Sequence, residues 1–489
     1  MIKVVSHPLF LLGVIVLLGA FLRLYRIDVL QRFLWDESRD MSAVRNIIVN
    51  KDITFFGPFN EIDGQKDFFG VFHYYLILPA LWIASFDPIG PAIFTALLGT
   101  ATIGLAYFWI SRWEQTSVAL AASALLAVSP LAVRFTRWAW NPNTIGFFAV
   151  LYLLALYYFR KKPRYTVIFI AGFVLGLLFQ LHYFTIALGA SILPVFYLQY
   201  KQVGIKQLIP FFLVFIGAFV LPNLTFVVFD LTHQGFYSNI LLESFSGDSP
   251  QKLVSFSLQN VFTNPVVYLF DVAEKFLHSK ILGIGLVISW VLYASTILRS
   301  FFKKGAKVEE VQLIVSWMAF LVIPIFFSAS VDDYHSAGLW LSFALAIVYL
   351  TRKYLKKYWI LLIVILMAWL VYANDINRAP SIDENVPRLR AVSAAIAEDL
   401  KETENQNSNV ASLVDIDTRA IRFRYFISKE NVELLGVDDY LRSDVLYAIT
   451  KQPWNEVTDQ PAWELSSFRE AAAVEIWSDG TWTVYRVEK

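Results

Sequence analysis

Residues 8–40 read PLFLLGVIVLLGAFLRLYRIDVLQRFLWDESRD, and this stretch decides what kind of fold the chain adopts. Its first part, 8–27, is almost entirely apolar and has the length of about 20 residues that an α-helix needs to cross a bilayer. The region before it carries little charge and no small-residue cleavage site follows it, so we expect the segment to be retained and not removed as a signal peptide. The stretch therefore predicts a membrane helix that leads into a polar, acidic loop.

Similar apolar stretches recur along the chain and predict a mostly α-helical, polytopic membrane protein. We expect about eleven transmembrane helices, at 8–27, 89–110, 117–133, 143–159, 165–181, 184–199, 207–229, 279–298, 310–328, 336–350 and 358–373. The composition agrees, with 57% hydrophobic residues, 17% charged residues and a mean hydropathy of +0.54. Soluble domains have about 45–50% apolar and about 25% charged residues, so the composition argues against a single soluble globule.

The positions of Lys and Arg predict the orientation of these helices. Cytoplasmic loops of membrane proteins carry an excess of both residues. In this chain they accumulate in alternate loops, at Arg112, at Arg160 to Arg164, at Lys201 and Lys206, at Arg299 to Lys307, and at Arg352 to Lys357. This pattern predicts a plasma-membrane protein with a cytoplasmic N-terminus and an external C-terminus. Residues 72–86 are then expected to form a helix at the outer interface, since a further crossing there would break the pattern.

The sequence predicts two domains, 1–373 and 374–489. The first contains the membrane helices and an external loop at 28–88. The second is charged and is expected to form a small extracytoplasmic α/β domain, with helices at 386–402 and 419–428, a strand at 410–416 and a final hairpin at 472–487. Asp479-Gly480 supplies the tight turn of that hairpin.

Two further features of the composition exclude classes of function. The net charge is +1, which gives no reason to expect a nucleic-acid partner. The chain contains no cysteine, which excludes disulfides, thiol catalysis and cysteine-ligated metals.

The acidic pair Asp36-Glu37 follows the first predicted helix and is the first candidate for chemistry. Two adjacent carboxylates near the membrane surface are expected to differ in environment, which allows one of them to act as a general base. The alternative is a solvated helix N-terminus, where acidic residues are favoured by the helix dipole. The pair alone does not decide between these interpretations.

The stretch RLYRIDVLQRFLWDESRDMSAVRNIIVNKDITFFGP, residues 23–58, resembles the start of GT-C-type polytopic glycosyltransferases of the protein O-mannosyltransferase and aminoarabinose transferase type. The resemblance continues through LLAVSPLAVRFTRWAWNPN, residues 125–143, to about residue 160. It implies an enzyme that takes a sugar from a polyprenyl-phosphate donor and passes it to an acceptor hydroxyl on the outer face, inverting the anomeric carbon. The acceptor is a protein, a lipid or a glycan.

The resemblance also implies roles for individual residues. Asp36 matches the catalytic acid of the family, with Glu37 beside it, and Arg39 matches the neighbouring Arg. Lys66 matches a family Lys, although Asp67 stands where the family usually has Pro. Asparagine at 141 or 143 replaces a family Asp, which weakens the case for an acidic metal site.

Arg39, Lys66 and Arg137 are therefore candidates for binding the donor phosphate, since fixed cations stabilise the charge of such a leaving group. Arg137 alternatively reaches towards lipid head groups. Further candidates for substrate binding are Asn141, His182, Asp333 and His335. The alternatives are an interface-anchoring aromatic for His182 and a solvated loop for His335. The sequence supports no cofactor and leaves a divalent metal open.

A transporter or flippase for lipid-linked sugars is the alternative function. Transporters tend to have repeated halves and ionisable groups near the membrane midplane. The predicted helices here are nearly free of charge, and the carboxylates cluster outside the membrane. The sequence therefore favours the enzyme.

Overall fold

The computed structural model describes residues 7–62, 65–246, 258–303, 305–326, 331–376, 386–403, 407–415 and 417–489. The chain forms two compact units. The helical unit comprises Met1–Tyr25, Ile53–Ile77 and Pro91–Ile376. The α/β unit comprises Arg26–Asp52, Leu78–Gly90 and Asn377–Lys489. The α/β unit thus contains two segments from the N-terminal part of the chain in addition to the predicted C-terminal domain.

The predicted apolar stretches coincide with helices, and further helices lie between them. Their bounds are Pro8–Leu24, Ile27–Leu30, Trp35–Val49, Phe72–Ile83, Ile89–Ser111, Thr116–Val128, Pro130–Phe135, Ile145–Lys161, Tyr165–Leu181, Ile192–Val203, Ile205–Thr232, Phe236–Ser246, Leu258–Leu277, Lys280–Phe302, Val308–Phe326, Leu341–Leu355 and Trp359–Ala373. Short 3-10 helices lie at Asn141–Thr144, Tyr183–Ser191, Asp333–Leu339 and Lys356–Tyr358.

Within the described residues, six helical segments are long and apolar enough to cross a membrane. They are Ile89–Ile110, Asn141–Lys161, Tyr183–Val203, Ile205–Thr232, Lys280–Phe301 and Leu341–Ala373. The last segment covers two predicted spans, which join at the predicted basic turn, where Lys356 has a φ of 47°. Shorter apolar helices such as Pro8–Leu24 and Tyr165–Leu181 lie at other predicted spans. The structure therefore supports a polytopic membrane protein. The number of eleven crossings stays a prediction.

Side-chain exposure explains why these helices suit a bilayer. On the helix Ile205–Thr232, the apolar side chains of Phe212, Leu213 and Ile216 are 47%, 63% and 40% exposed. Apolar surface of this extent is unfavourable in water and favourable against lipid tails. On the neighbouring helix Tyr165–Leu181, Gly172 and Gly176 face backbone carbonyls of Ile205–Thr232 where a Cβ atom would collide. This small-residue spacing allows close packing of membrane helices.

The polar stretch 230–276 lies between two predicted spans, and its described part contains two helices, Phe236–Ser246 and Leu258–Leu277. In the second helix, Val272, Ala273 and Phe276 are fully buried. The helix is amphipathic, and its many polar residues hide the apolar face when only average hydropathy is considered.

The C-terminal part of the α/β unit contains helices Val386–Thr403, Ile421–Lys429 and Trp454–Val457. Its strands are β1 (Ser408–Ser412), β2 (Val445–Thr450), β3 (Ala472–Ser478) and β4 (Thr483–Glu488), arranged in the order β1-β2-β4-β3. Strands β1 and β2 are parallel, whereas β4 is antiparallel to both of its neighbours. The predicted hairpin is confirmed: Gly480 has a φ of 80°, and the Asp479 carboxylate accepts hydrogen bonds from the backbone of Thr481 and Trp482 at 2.9 Å.

Contacts within the α/β unit hold the segment Arg26–Asp52 against the helix Ile421–Lys429. The ring of Phe33 lies 5.3 Å from that of Tyr425 and 5.1 Å from that of Phe426. Arg422 forms an ion pair with Asp415 and donates a hydrogen bond to the Phe33 carbonyl at 3.5 Å. These contacts fix the start of the helix Trp35–Val49, which carries the acidic pair.

Candidate active site

The helix Trp35–Val49 begins directly at the predicted acidic pair, with Asp36 and Glu37 in its first turn. The Leu34 backbone N–H donates to Glu37 Oε2 at 2.8 Å, which satisfies one of the otherwise unpaired donors of the helix N-terminus. Glu37 is 3% exposed, whereas the Asp36 side chain is 25% exposed. The pair is therefore not a solvated helix terminus: one carboxylate is buried and caps the helix, and the other is accessible.

Burial also changes the protonation of Glu37. Burial, reinforced by the neighbouring Asp36 charge, raises the pKa of Glu37 to about 8. A group with this pKa is mostly protonated at neutral pH and cannot accept a further proton there. Of the two candidates, Asp36 is thus better placed to act as a general base.

Arg39 lies one turn after Asp36 and joins it to a second acid. Its Nη1 atom is 2.8 Å from Asp36 Oδ1, and its Nη2 atom is 2.6 Å from Oδ1 of the fully buried Asp40. Its guanidinium also lies 5.4 Å from the ring centre of Trp35. The spacing of three residues places Asp36 and Arg39 on one face of the helix. Arg39 therefore holds the Asp36 carboxylate in a fixed position.

In the helical unit, Arg137 is buried and bonds only backbone among its described hydrogen bonds. Its Nε and Nη2 atoms donate to the Leu22 carbonyl at 3.0 and 2.6 Å. Burial lowers the pKa of Arg137 to about 10, so it remains charged at neutral pH. It does not reach outwards to snorkel, since it is only 8% exposed.

Arg23 is a second buried cation of the helical unit, and the sequence reasoning did not single it out. It is 1% exposed, and its Nη1 atom donates to the carbonyls of Gly19 and Ala127 at 3.0 and 2.8 Å. It lies close enough to Arg137 for mutual repulsion. Among the described residues neither arginine forms an ion pair with a carboxylate. Buried charges usually have an oppositely charged partner. Two neighbouring buried arginines without one therefore indicate a site for an anionic ligand. In the sequence, Arg23 appears only as a basic residue near the end of an apolar stretch, three positions before Arg26.

The structure brings His182 and His335 together in the helical unit. Their ring centres are 4.5 Å apart, and the ring of Tyr334 lies 4.1 Å from that of His335. Burial lowers the pKa of His335 to about 3, and burial together with His335 lowers the pKa of His182 well below its ordinary value. Both rings are therefore neutral at physiological pH. They are 3% and 9% exposed, which fits neither an interface anchor nor a solvated loop.

The remaining predicted residues of the helical unit have defined partners. Asn141 Nδ2 donates to the Leu181 carbonyl at 2.7 Å, beside the backbone of His182. Asp333 Oδ2 pairs with Lys275 Nζ at 3.0 Å, so its charge is compensated. Lys66 lies on the strand Gln65–Phe68, which pairs with Phe59–Ile62, but its side chain lies outside the described residues. In the described part of the chain no group of three or more His, Asp or Glu residues could hold a metal ion.

Comparison with known proteins establishes the fold. No family model matches the sequence, and no curated protein sequence matches it. The solved structure of ArnT from Cupriavidus metallidurans bound to undecaprenyl phosphate aligns with 98% of this chain and 97% of its own, with a TM-score of 0.56 and 12% identity. The archaeal oligosaccharyltransferase AglB from Archaeoglobus fulgidus, in complex with an inhibitory peptide and a dolichol-phosphate, aligns with 98% of this chain and 74% of its own, with a TM-score of 0.52 and 13% identity. The chain therefore has the GT-C-type fold that the sequence resemblance predicted.

Proposed function

We propose that this protein is an inverting glycosyltransferase that moves a sugar from a polyprenyl-phosphate donor to an acceptor hydroxyl. The observation that carries the proposal is the Asp36–Arg39 pair, in which an accessible carboxylate is held by a guanidinium at 2.8 Å. The fold supports it, since ArnT was solved with undecaprenyl phosphate and AglB with a dolichol-phosphate.

The proposed reaction is a single displacement. The acceptor oxygen attacks the anomeric carbon while its proton passes to Asp36, and the bond from that carbon to the phosphate oxygen breaks. The polyprenyl phosphate leaves with the electron pair of that bond. One base and one displacement suffice, so the configuration inverts and no covalent enzyme intermediate is needed.

The departing phosphate requires cations that are already in place. Within the helical unit, the candidates for holding a phosphate are Lys66 and the two buried arginines Arg23 and Arg137, which no described carboxylate neutralises in an ion pair. Guanidinium groups suit phosphate because they donate parallel hydrogen bonds in a fixed geometry. Preorganised donors of this kind stabilise developing charge without reorganisation during the reaction.

We further propose the membrane arrangement that the Lys and Arg pattern predicts, with about eleven crossings, a cytoplasmic N-terminus and Asp36 outside the plasma membrane. The chain has no native cysteine, so single cysteines can be introduced and labelled in intact cells with a maleimide that does not cross membranes. We expect labelling of Asp52→Cys from outside and no labelling of Lys162→Cys. The reverse pattern would refute the orientation.

The function is tested by incubating purified protein with radiolabelled polyprenyl-phosphate sugars of several types. We expect time-dependent loss of label from at least one lipid, with transfer once a suitable acceptor is added. Binding of the lipids without any cleavage or transfer would contradict the enzyme and point to the transporter alternative.

A further inference from the structure

The α/β unit contains a basic cleft between the helices Trp35–Val49 and Ile421–Lys429. It has a volume of about 540 Å³, and four of its lining residues are arginines: Arg39, Arg45, Arg419 and Arg424. None of the lining residues is acidic. One wall belongs to the helix that carries Asp36, and the other belongs to the C-terminal domain.

Two of these arginines are paired with acids. Arg39 bonds Asp36 and Asp40, and Arg419 makes a bidentate contact with Asp417 at 2.9 Å. These carboxylates do not line the cleft, so the charged residues of the lining are all positive.

The other two arginines form no ion pair with an acid in the described part of the chain. Arg424 donates to neutral oxygens, among them the Leu435 carbonyl at 2.8 Å. Arg45 donates to the Ser428 carbonyl at 3.2 Å, and its buried Nε atom has no hydrogen-bond partner among the described residues. The cleft therefore carries a positive charge that an anionic ligand would compensate.

Of the seven other lining residues, three are polar and four are apolar or aromatic. Ser42, Asn46 and Ser428 can exchange hydrogen bonds with hydroxyl groups, and Trp35 supplies an aromatic ring. Guanidinium groups bind an anion, hydroxyl and amide groups bind sugar hydroxyls, and the rings of Trp35 and Tyr425 offer flat faces for a sugar ring, so the lining suits an acidic carbohydrate.

We infer that this cleft binds the acidic part of the acceptor, a carbohydrate that carries a phosphate or a carboxylate. The inference rests on the proposed function, since it assigns the acceptor of that reaction. Arg39 lines the cleft and bonds Asp36, so an acceptor anchored here has a hydroxyl beside the proposed base. The C-terminal domain thereby acquires a role, which is to supply Arg419 and Arg424 for acceptor recognition.

The test measures binding by ligand-observed NMR on the full-length protein in detergent, with glucose 6-phosphate as the probe. We expect saturable binding of glucose 6-phosphate and none of glucose. The double variant Arg45→Gln/Arg419→Gln should raise the Kd for glucose 6-phosphate by about tenfold or more, because it removes two charge-assisted contacts. Arg442→Gln is the matched control: it removes an arginine of the same unit that is 81% exposed and lies outside the cleft, and Kd should stay unchanged.

Two further probes distinguish other ligands, and a second variant guards against misfolding. Preferential binding of a short prenyl phosphate would make the cleft a donor site, and preferential binding of an acidic peptide would make the acceptor a protein; either overturns the inference. If the double variant does not fold, the exposed Arg419→Glu reverses one charge and should abolish binding. An unchanged Kd in a folded variant also overturns it.

The binding assay needs no sugar donor, so it tests the assignment of the cleft independently of the proposed glycosyltransferase activity. Loss of the expected binding, combined with Asp36-dependent sugar transfer, refutes only the assignment of the cleft. Intact binding in a protein that cleaves no polyprenyl-phosphate sugar refutes the proposed function.

Discussion

Asp36→Asn is expected to lower kcat/KM for sugar transfer by about 10²–10⁴-fold, the contribution typical of a positioned general base. The substitution keeps the size of the side chain and leaves an oxygen that can accept the hydrogen bond from Arg39 Nη1. It removes the ability to take a proton from the attacking hydroxyl. Folding and donor binding should therefore be retained, and the two can be measured by thermal unfolding and by binding of the radiolabelled lipid.

Asp52→Asn is the control for this variant. Asp52 is an exposed carboxylate shortly after the same helix, so its loss removes the same charge without touching the candidate site. We expect transfer at the wild-type rate in Asp52→Asn. A wild-type rate in Asp36→Asn would rule out Asp36 as the base.

Glu37→Gln separates the two members of the acidic pair. Glutamine keeps an oxygen that accepts from the Leu34 N–H, so we expect less than about a tenfold loss of transfer, since the protonated Glu37 is not the base. The pKa of Glu37 is raised from 4.5 to about 8, so its contribution to stability is present below pH 4.5 and is lost as the pH rises towards 8. Thermal unfolding should therefore show Glu37→Gln gaining stability relative to wild type between pH 5 and pH 8. The reverse trend would mean that Glu37 is ionised in the folded protein.

Much of the fold is predictable because membrane helices and strands follow from local composition. The stretches at 89–110 and 165–181 coincide with helices Ile89–Ser111 and Tyr165–Leu181, since about 20 apolar residues have few alternatives in a bilayer. Strand β2 was not predicted. All six of its residues are buried, because it is central in its sheet, and it therefore lacks the alternation that identifies a strand with one solvent-facing side.

The candidate site is predictable only where its residues are neighbours in sequence. Asp36 and Arg39 are three residues apart on one helix, so their pairing follows from helical geometry. His182 and His335, by contrast, are placed side by side by long-range packing, and neither residue has a local pattern that indicates the other. The cleft has the same origin, since Arg45 and Arg419 are far apart in sequence and are brought together by long-range contacts in the α/β unit, such as those of Phe33 and Arg422.

Arg39→Ala is expected to reduce both stability and transfer, for two separable reasons. The buried Asp40 carboxylate would lose the guanidinium that lies 2.6 Å from it, and removal of one partner of a buried ion pair costs about 3–5 kcal/mol of unfolding free energy. Asp36 would lose the cation that fixes it, and we expect transfer to fall by about 10²–10³-fold, as for the loss of a preorganised electrostatic contact. Denaturant unfolding and the radiolabelled-donor assay measure the two effects.

The double variant Arg39→Ala/Asp40→Asn distinguishes these effects. Asparagine at position 40 removes the buried charge that would have lost this guanidinium, so most of the lost stability should return. Transfer should stay low, because Asp36 still lacks the group that holds it. Recovery of transfer together with stability would show that Arg39 acts only by stabilising the helix Trp35–Val49, and its role beside Asp36 would then have to be abandoned. Low transfer in a restored fold makes Arg39 a residue that positions the base.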